Sequence, residues 1–139
     1  MKGRLRLAAC TAGLLAAVTA GSATAAQPMA TWTDQGAGAG ACLDGHVCLY
    51  AHDDYNRNVL DGTILLTDQD VPDLNRYQFS NTARSVYNNS GVDVVLYDYV
   101  DYGGKSLTIR PGTGRTLPEG WTRTVSSVDV LKRGGGGPV

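Results

Sequence analysis

Short apolar runs alternate with turn-forming residues along most of the chain. Between residues 42 and 133, Val, Leu and Tyr cluster in runs that recur every ten to twelve residues, and Gly, Asn, Asp and Pro separate them. No stretch combines the period of an amphipathic helix with capping residues. Runs of this length and spacing are typical of strands in a sandwich. The pattern therefore predicts an all-β domain over residues 42–133.

The segments on either side of this domain have a different composition. Residues 26–41 are rich in Gly and Ala without periodicity, and residues 134–139 form a Gly-rich tail, so both are predicted to be flexible. Residues 1–25 have a basic start, an apolar run too short to span a membrane, and a small-residue end. This pattern predicts a secretory signal peptide cleaved after Ala25 and a secreted mature protein. A lipoprotein signal ending at Cys10 is the alternative, but the main apolar run follows that cysteine.

The charge balance argues against two kinds of partner. Removing Lys2, Arg4 and Arg6 with the signal leaves nine basic residues against thirteen acidic ones. Nucleic-acid binding requires a concentrated basic face that replaces counterions, and the sequence shows none. With the signal removed, no apolar stretch is long enough for a membrane span. Neither nucleic acid nor a membrane is an expected partner of the mature chain.

Two cysteines remain in the predicted mature chain, Cys42 and Cys48, at the ends of the segment CLDGHVC. An even pair in an oxidising compartment predicts a disulfide, and so short a loop is worth about 2 kcal/mol. The spacing does not fit a redox CxxC motif. With His46 the pair supplies three of the four ligands that a structural zinc site requires.

One segment occurs twice, as LYAHDDYNRNVL (49–60) and LYDYVDYGGKSL (96–107). The first parts of the copies align at a shift of 47 residues, which matches Tyr50 with Tyr97, Tyr55 with Tyr102 and Leu60 with Leu107. Later, Ser85 aligns with Ser127 at a shift of 42. The alignment therefore predicts two copies, at about residues 46–89 and 92–131, each with four short strands. It places five extra residues of the first copy within residues 67–80.

The tyrosine spacing predicts a sharply folded hairpin. Residues five apart on a straight strand point to opposite faces, so the two rings can pack together only if the chain folds between them. Such a fold requires residues that accept positive φ. Gly103 and Gly104 supply them after Tyr102 in the second copy. Asn56 and Arg57 hold the corresponding positions in the first copy, where Asn tolerates this conformation better than Arg.

These motifs resemble those of a known family. The pattern Tyr-x4-Tyr-x-Gly, followed by a strand that contains serine, resembles the Greek-key motif of βγ-crystallins. The segments CLDGHVCLY, NTARSVYNNSGVDVVLYDYVDYGGKSL and WTRTVSSVDVL are similar to the secreted actinobacterial peptidase-inhibitor family to which the Streptomyces metalloproteinase inhibitor belongs. The resemblance implies two Greek-key units in a βγ-crystallin-like sandwich. It also implies a protein that blocks a secreted protease by presenting a rigid surface loop.

The same resemblance points to two candidate sites. The region that matches the inhibitory loop lies near SLTIRPGTGR, where Arg110 and Arg115 are candidate partner-binding residues; the alternative is two ordinary surface arginines. This region lacks the second disulfide expected of the metalloproteinase-inhibiting member, so no reactive bond is assigned. Calcium-binding βγ-crystallins imply a weak Ca²⁺ site involving Asn81 with Asp53 and Asp54, although arginines stand among the ligand positions.

Catalytic motifs are missing from the sequence. The chain has two histidines, His46 and His52, and no HExxH, P-loop or GxSxG motif, so it is not expected to be an enzyme. Three hypotheses remain. The protein is an inhibitor of a secreted protease, or an adaptor in a secreted assembly that binds through residues 26–41, or a calcium-stabilised structural protein.

Overall fold

The computed structural model describes residues 30–131, which form eight strands and four short 3₁₀ helices. The strands are β1 (Thr31–Gln35), β2 (Val47–Tyr50), β3 (Thr63–Thr67), β4 (Ser85–Asn88), β5 (Val94–Tyr97), β6 (Ser106–Ile109), β7 (Gly114–Thr116) and β8 (Ser127–Val130). The 3₁₀ helices are Ala39–Ala41, Asp54–Asn56, Leu74–Tyr77 and Val100–Tyr102. Residues 30–131 contain no α-helix, and the all-β prediction is confirmed. The predicted signal peptide with Ala25, and the tail 134–139, lie outside the described residues.

The strands form two antiparallel sheets, and each copy contributes one segment to the sheet formed mainly by the other copy. The five-stranded sheet has the order β1-β3-β2-β4-β7, and the three-stranded sheet has the order β6-β5-β8. β7 comes from the second copy but pairs with β4 of the first. In the reciprocal position, Val71 of the first copy bridges to Val128 of β8. That bridge takes the place of the fourth strand predicted for the first copy.

The core lies between the two sheets, because side chains alternate along each strand. Val47 and Leu49 of β2 and Val94 and Leu96 of β5 are fully buried there. Full burial of such a side chain contributes roughly 1.5–3 kcal/mol. This interior leaves the loops at the ends of the strands to carry the site.

Pairing within the two hairpins shows where the copies differ in length. Leu65 lies opposite Leu49, and Leu107 lies opposite Leu96. β2 and β5 are thus offset by 47 residues but β3 and β6 by 42, so the five extra residues lie in the turn between β2 and β3. The prediction that placed them after β3 is wrong. The matching of Leu60 with Leu107 caused the error, since Leu60 is 98% exposed whereas Leu107 packs against the core.

Residues 30–41 are ordered, so the prediction of a flexible arm is wrong for them. β1 pairs along its whole length with β3, and the chain after it lies against the first hairpin. The Tyr50 hydroxyl donates to Gly38 O (3.0 Å), and the Asn56 amide donates to Gly36 O (2.9 Å). Glycine accepts the positive φ of Gly38 (+81°) but carries no periodic signal of a strand. Residues 26–29 of the predicted arm lie outside the described range.

Candidate functional site

The predicted disulfide between Cys42 and Cys48 is present. It packs with Tyr50, Ile64 and Leu66 in a second apolar cluster on the outer face of the five-stranded sheet, partly covered by other aromatic side chains. Burial, followed by the neighbouring tyrosines, raises the pKa of Tyr50 to about 12. The disulfide and this cluster fix the start of β2, from which the first hairpin extends.

Both tyrosine pairs pack as the sequence predicted. The ring centroids of Tyr50 and Tyr55 are 5.5 Å apart and those of Tyr97 and Tyr102 are 5.8 Å apart, both edge to face. The second tyrosine of each pair itself has a positive φ, +57° and +61° respectively. The chain therefore folds at the tyrosine rather than after it.

The glycine and asparagine expectations for these turns hold only in part. Gly104 and Asn56 have the expected positive φ, +77° and +60°. Gly103 (−93°) and Arg57 (−55°) do not, so the prediction is wrong for both. The left-handed backbone begins before the positions of the glycines, because Asp54 (+47°) and Asp101 (+54°) adopt it together with the tyrosines that follow them.

A buried serine holds each hairpin in this costly conformation. Left-handed backbone costs roughly 1–2 kcal/mol for each residue other than glycine. Ser85 Oγ donates to His52 O (2.7 Å) and accepts from Tyr55 N (3.0 Å). Ser127 repeats the arrangement in the second copy, donating to Tyr99 O (2.6 Å) and accepting from the backbone N–H of the second tyrosine (3.0 Å). The sequence aligned these serines, and the structure shows their role.

The loop between β6 and β7 is held by a buried asparagine. We call residues 110–113 the Arg110 loop. Asn88, fully buried at the end of β4, donates from its side-chain amide to Ile109 O (2.9 Å). Its backbone N–H donates to Thr113 O (2.9 Å), and its carbonyl accepts from Gly112 N (2.8 Å). These bonds fix both ends of the loop without a second disulfide.

Arg110 and Arg115 are both exposed. Among residues 30–131, neither forms an ion pair with an acidic side chain. Both line an open depression of about 400 Å³ beside Thr108 and Thr113. β6, which leads into the loop, is the outer strand of its sheet, and its second edge pairs with no strand of the described chain. An extended free edge thus runs directly into a rigid loop that carries a cation.

The residues considered for calcium do not fit that ion. Asp53 and Asp54 each lie within 4 Å of an arginine side chain, at 3.9 and 3.6 Å. Asn81 lines a depression that also contains Arg123. Ca²⁺ requires six to eight oxygen ligands, and a guanidinium at the ligand positions opposes it. In the described part of the chain, no group of three His, Cys, Asp or Glu side chains is placed to hold a metal ion.

Neither histidine lines the depression beside the Arg110 loop. A ring nitrogen of His46 contacts Asp44 O at 2.9 Å, and its ring packs edge-on against Trp32. His52 is exposed in the first hairpin. Residues 30–131 include no helix that is long and apolar enough to cross a bilayer.

A carboxylate on the outer face of the three-stranded sheet gives a pH-dependent prediction. Burial, followed by repulsion from Asp70, raises the pKa of Asp129 above its ordinary 3.8. The folded protein therefore binds this proton more tightly than the unfolded chain does, and ionisation of Asp129 lowers stability above the shifted pKa. We expect Asp129→Asn to raise the Tm at about pH 7 and to give no gain at about pH 3.

Thermal melts at both pH values test this expectation. Asp61→Asn, which removes an exposed carboxylate from the first hairpin, is the control and should change the Tm little at either pH. An equal rise in Tm from Asp129→Asn at both pH values would show that ionisation of this carboxylate does not destabilise the folded protein.

Comparison with family models gives one match. The model of peptidase inhibitor family I36 matches residues 35–109, more than half of the 139-residue chain. No curated protein matches the chain. The matched span includes β2 to β6 with the disulfide and both tyrosine hairpins.

Solved structures with similar architecture are βγ-crystallin domains and a related protein. A structure on the evolution of the eye lens βγ-crystallin domain fold has a TM-score of 0.62 at 14% identity, covering 73% of this chain and 97% of that one. A βγ-crystallin from Ciona intestinalis has a TM-score of 0.53 at 24% identity, covering 62% and 99%. Spherulin 3a from Physarum polycephalum has a TM-score of 0.52 at 15% identity, covering 76% and 100%. At these identities the likeness concerns the fold. The chain belongs to peptidase inhibitor family I36, and its domain has the βγ-crystallin fold.

Proposed function

We propose that this protein is a secreted, non-enzymatic protease inhibitor and that the Arg110 loop contacts the enzyme. Membership of the inhibitor family supports the general role. The observation that carries the loop assignment is the set of hydrogen bonds by which Asn88 holds both ends of the loop.

A loop held in this way binds with a smaller loss of entropy. Immobilising a flexible side chain on binding costs about 0.5–1.5 kcal/mol, and a pre-ordered loop avoids part of that cost. The free edge of β6 can pair with an edge strand of the enzyme, as extended peptides commonly do. Arg110 then supplies a cation for an acidic specificity pocket such as that of trypsin.

The structure favours neither alternative hypothesis. An adaptor that binds through residues 26–41 needs that segment free, but residues 31–35 are paired with β3. A calcium-stabilised protein needs oxygen ligands, and arginines lie beside the candidate carboxylates.

Titration of the mature protein into trypsin, chymotrypsin and thermolysin tests the proposal. For trypsin, we expect residual activity to fall linearly and to break near one inhibitor per enzyme. Arg110→Ala should weaken trypsin binding about 30-fold, or about 2 kcal/mol, as expected for an anchor residue. Arg76→Ala, which removes an exposed arginine from the 3₁₀ helix Leu74–Tyr77, should leave the affinity unchanged.

Two results would contradict different parts of the proposal. No inhibition of any of the three enzymes at large excess, with the protein folded and uncut, would exclude the inhibitor function for these classes of protease. Full trypsin inhibition by Arg110→Ala would retain the function and reject the loop assignment.

A further inference from the structure

The first hairpin carries a loop that the second does without. The turn between β5 and β6 closes with five fewer residues than the turn between β2 and β3, so the fold does not require the added length. We call residues 57–62 the Leu60 loop. Leu60 is 98% exposed in it, whereas its neighbour Val59 is half-buried. A single exposed leucine means little by itself, but here an insertion places it in solvent.

A buried asparagine holds this loop too. Asn56 is fully buried, and its side-chain amide donates to Thr63 O (3.0 Å), just beyond the loop. Its backbone carbonyl accepts from Val59 N (2.9 Å). Gly62 lies so close that an added Cβ would be 2.5 Å from the Asn56 Cγ. The Asn56 backbone thus fixes the first part of the loop and its side chain fixes the last part, so Leu60 projects from a rigid base.

The two asparagine-held loops lie at opposite ends of the five-stranded sheet. The Leu60 loop belongs to the hairpin that follows Tyr50, the last residue of β2. The Arg110 loop is hydrogen-bonded to Asn88, which lies opposite Val47, the first residue of β2. These ends are about 10 Å apart along the strand, and both loops extend beyond them. A substrate-like loop fills one enzyme cleft, so the geometry provides two separate contact sites.

We propose that the Leu60 loop is a second protease-binding site, at which Leu60 enters the apolar specificity pocket of an endopeptidase. This inference rests on the proposed inhibitor function and extends it to a protease with a different specificity pocket. An apolar pocket such as that of chymotrypsin accepts leucine, whereas the acidic pocket of trypsin selects a cation. The contact is non-covalent. Because the two pockets prefer different side chains, the two loops bind different enzymes.

The full mature protein and two proteases test this proposal. We expect Leu60→Ala to weaken chymotrypsin binding about 10- to 100-fold, because the buried apolar area is lost. Leu60→Asp should abolish it, since a carboxylate is not tolerated in an apolar pocket. Trypsin binding should not change with either variant. Leu43→Ala, which truncates another exposed leucine (51%), should change neither. Protein saturated with trypsin should still bind chymotrypsin.

Each other outcome overturns the inference in a recognisable way. Chymotrypsin inhibition that is absent in the natural protein, or unchanged in both Leu60 variants, removes the second site, while trypsin inhibition still supports the proposed function. Loss of both inhibitory activities in the Leu60 variants, or blocking of chymotrypsin by bound trypsin, shows one shared site. Absence of any inhibition removes both proposals. Melting curves equal to that of the natural protein show that the variants are folded.

Discussion

Asn88→Ala is expected to lower the free energy of unfolding by about 3 kcal/mol and to weaken trypsin inhibition. The fully buried side chain donates to Val92 O (2.8 Å) and Ile109 O (2.9 Å). Its oxygen accepts from the backbone N–H and the hydroxyl of Ser90, at 3.0 and 2.6 Å. Truncation removes one donor from each of these carbonyls, although Val92 O still accepts from Ser90 Oγ (3.1 Å), and a buried polar group left without a partner costs about 1–3 kcal/mol. Urea denaturation followed by tryptophan fluorescence measures the loss.

Asn89→Ala is the matched control for this variant. Within residues 30–131 the Asn89 side chain makes one hydrogen bond, from its amide to Cys42 O (2.8 Å), so its truncation should cost about 1 kcal/mol. It does not contact the Arg110 loop through its side chain, and trypsin inhibition should persist. Equal losses of stability and inhibition in both variants would show that Asn88 has no special hold on the loop.

Asn56→Ala is expected to destabilise the protein by about 3 kcal/mol and to weaken chymotrypsin inhibition. Three side-chain hydrogen bonds are lost: from His52 N (2.8 Å), to Gly36 O (2.9 Å) and to Thr63 O (3.0 Å). Alanine is also less suited than asparagine to the local φ of +60°. Because the bond to Gly36 O joins the first hairpin to the segment after β1, that segment should become open to proteolysis. Urea denaturation and limited proteolysis measure the two effects.

Asn58→Ala in the same loop provides the comparison. Asn58 is exposed, and within the described residues its side chain makes no hydrogen bond, so the free energy of unfolding should change by no more than about 0.5 kcal/mol. A tolerated Asn56→Ala substitution, with unchanged inhibition, would show that the Leu60 loop does not depend on the buried amide.

The features that were best predicted from the sequence arise from short local motifs that are present in both copies. The two tyrosine pairs and the aligned serines, Ser85 and Ser127, mark the same folded hairpin, and one copy supports the interpretation of the other. β1 was missed because it is held by backbone pairing with β3 and by contacts of glycines with distant side chains. Such contacts leave no periodic pattern in a Gly/Ala-rich stretch.

The site was harder to predict, because its supports are tertiary contacts. Arg110 could be singled out through the family resemblance, but Asn88 acts from another strand and has no motif. Asn56 did leave a signal, since it stands where the second copy has Gly103. Leu60 was misplaced because matching identical residue types gave it the position of Leu107, whereas strand pairing separates them. The sequence showed that the first copy is five residues longer, but only the strand register located the extra residues.

The exchange of segments between the sheets determines when the fold can form during synthesis. The five-stranded sheet combines β1, near the start of the described chain, with β7 from the second copy, and the bridge from Val71 needs Val128 of β8. The first copy cannot complete the five-stranded sheet from its own residues, because β7 belongs to the second copy. Pairings so distant in sequence form slowly. The polypeptide must therefore emerge as far as β8 before its interior can close, and the two repeats fold as one unit although they are two similar stretches of sequence.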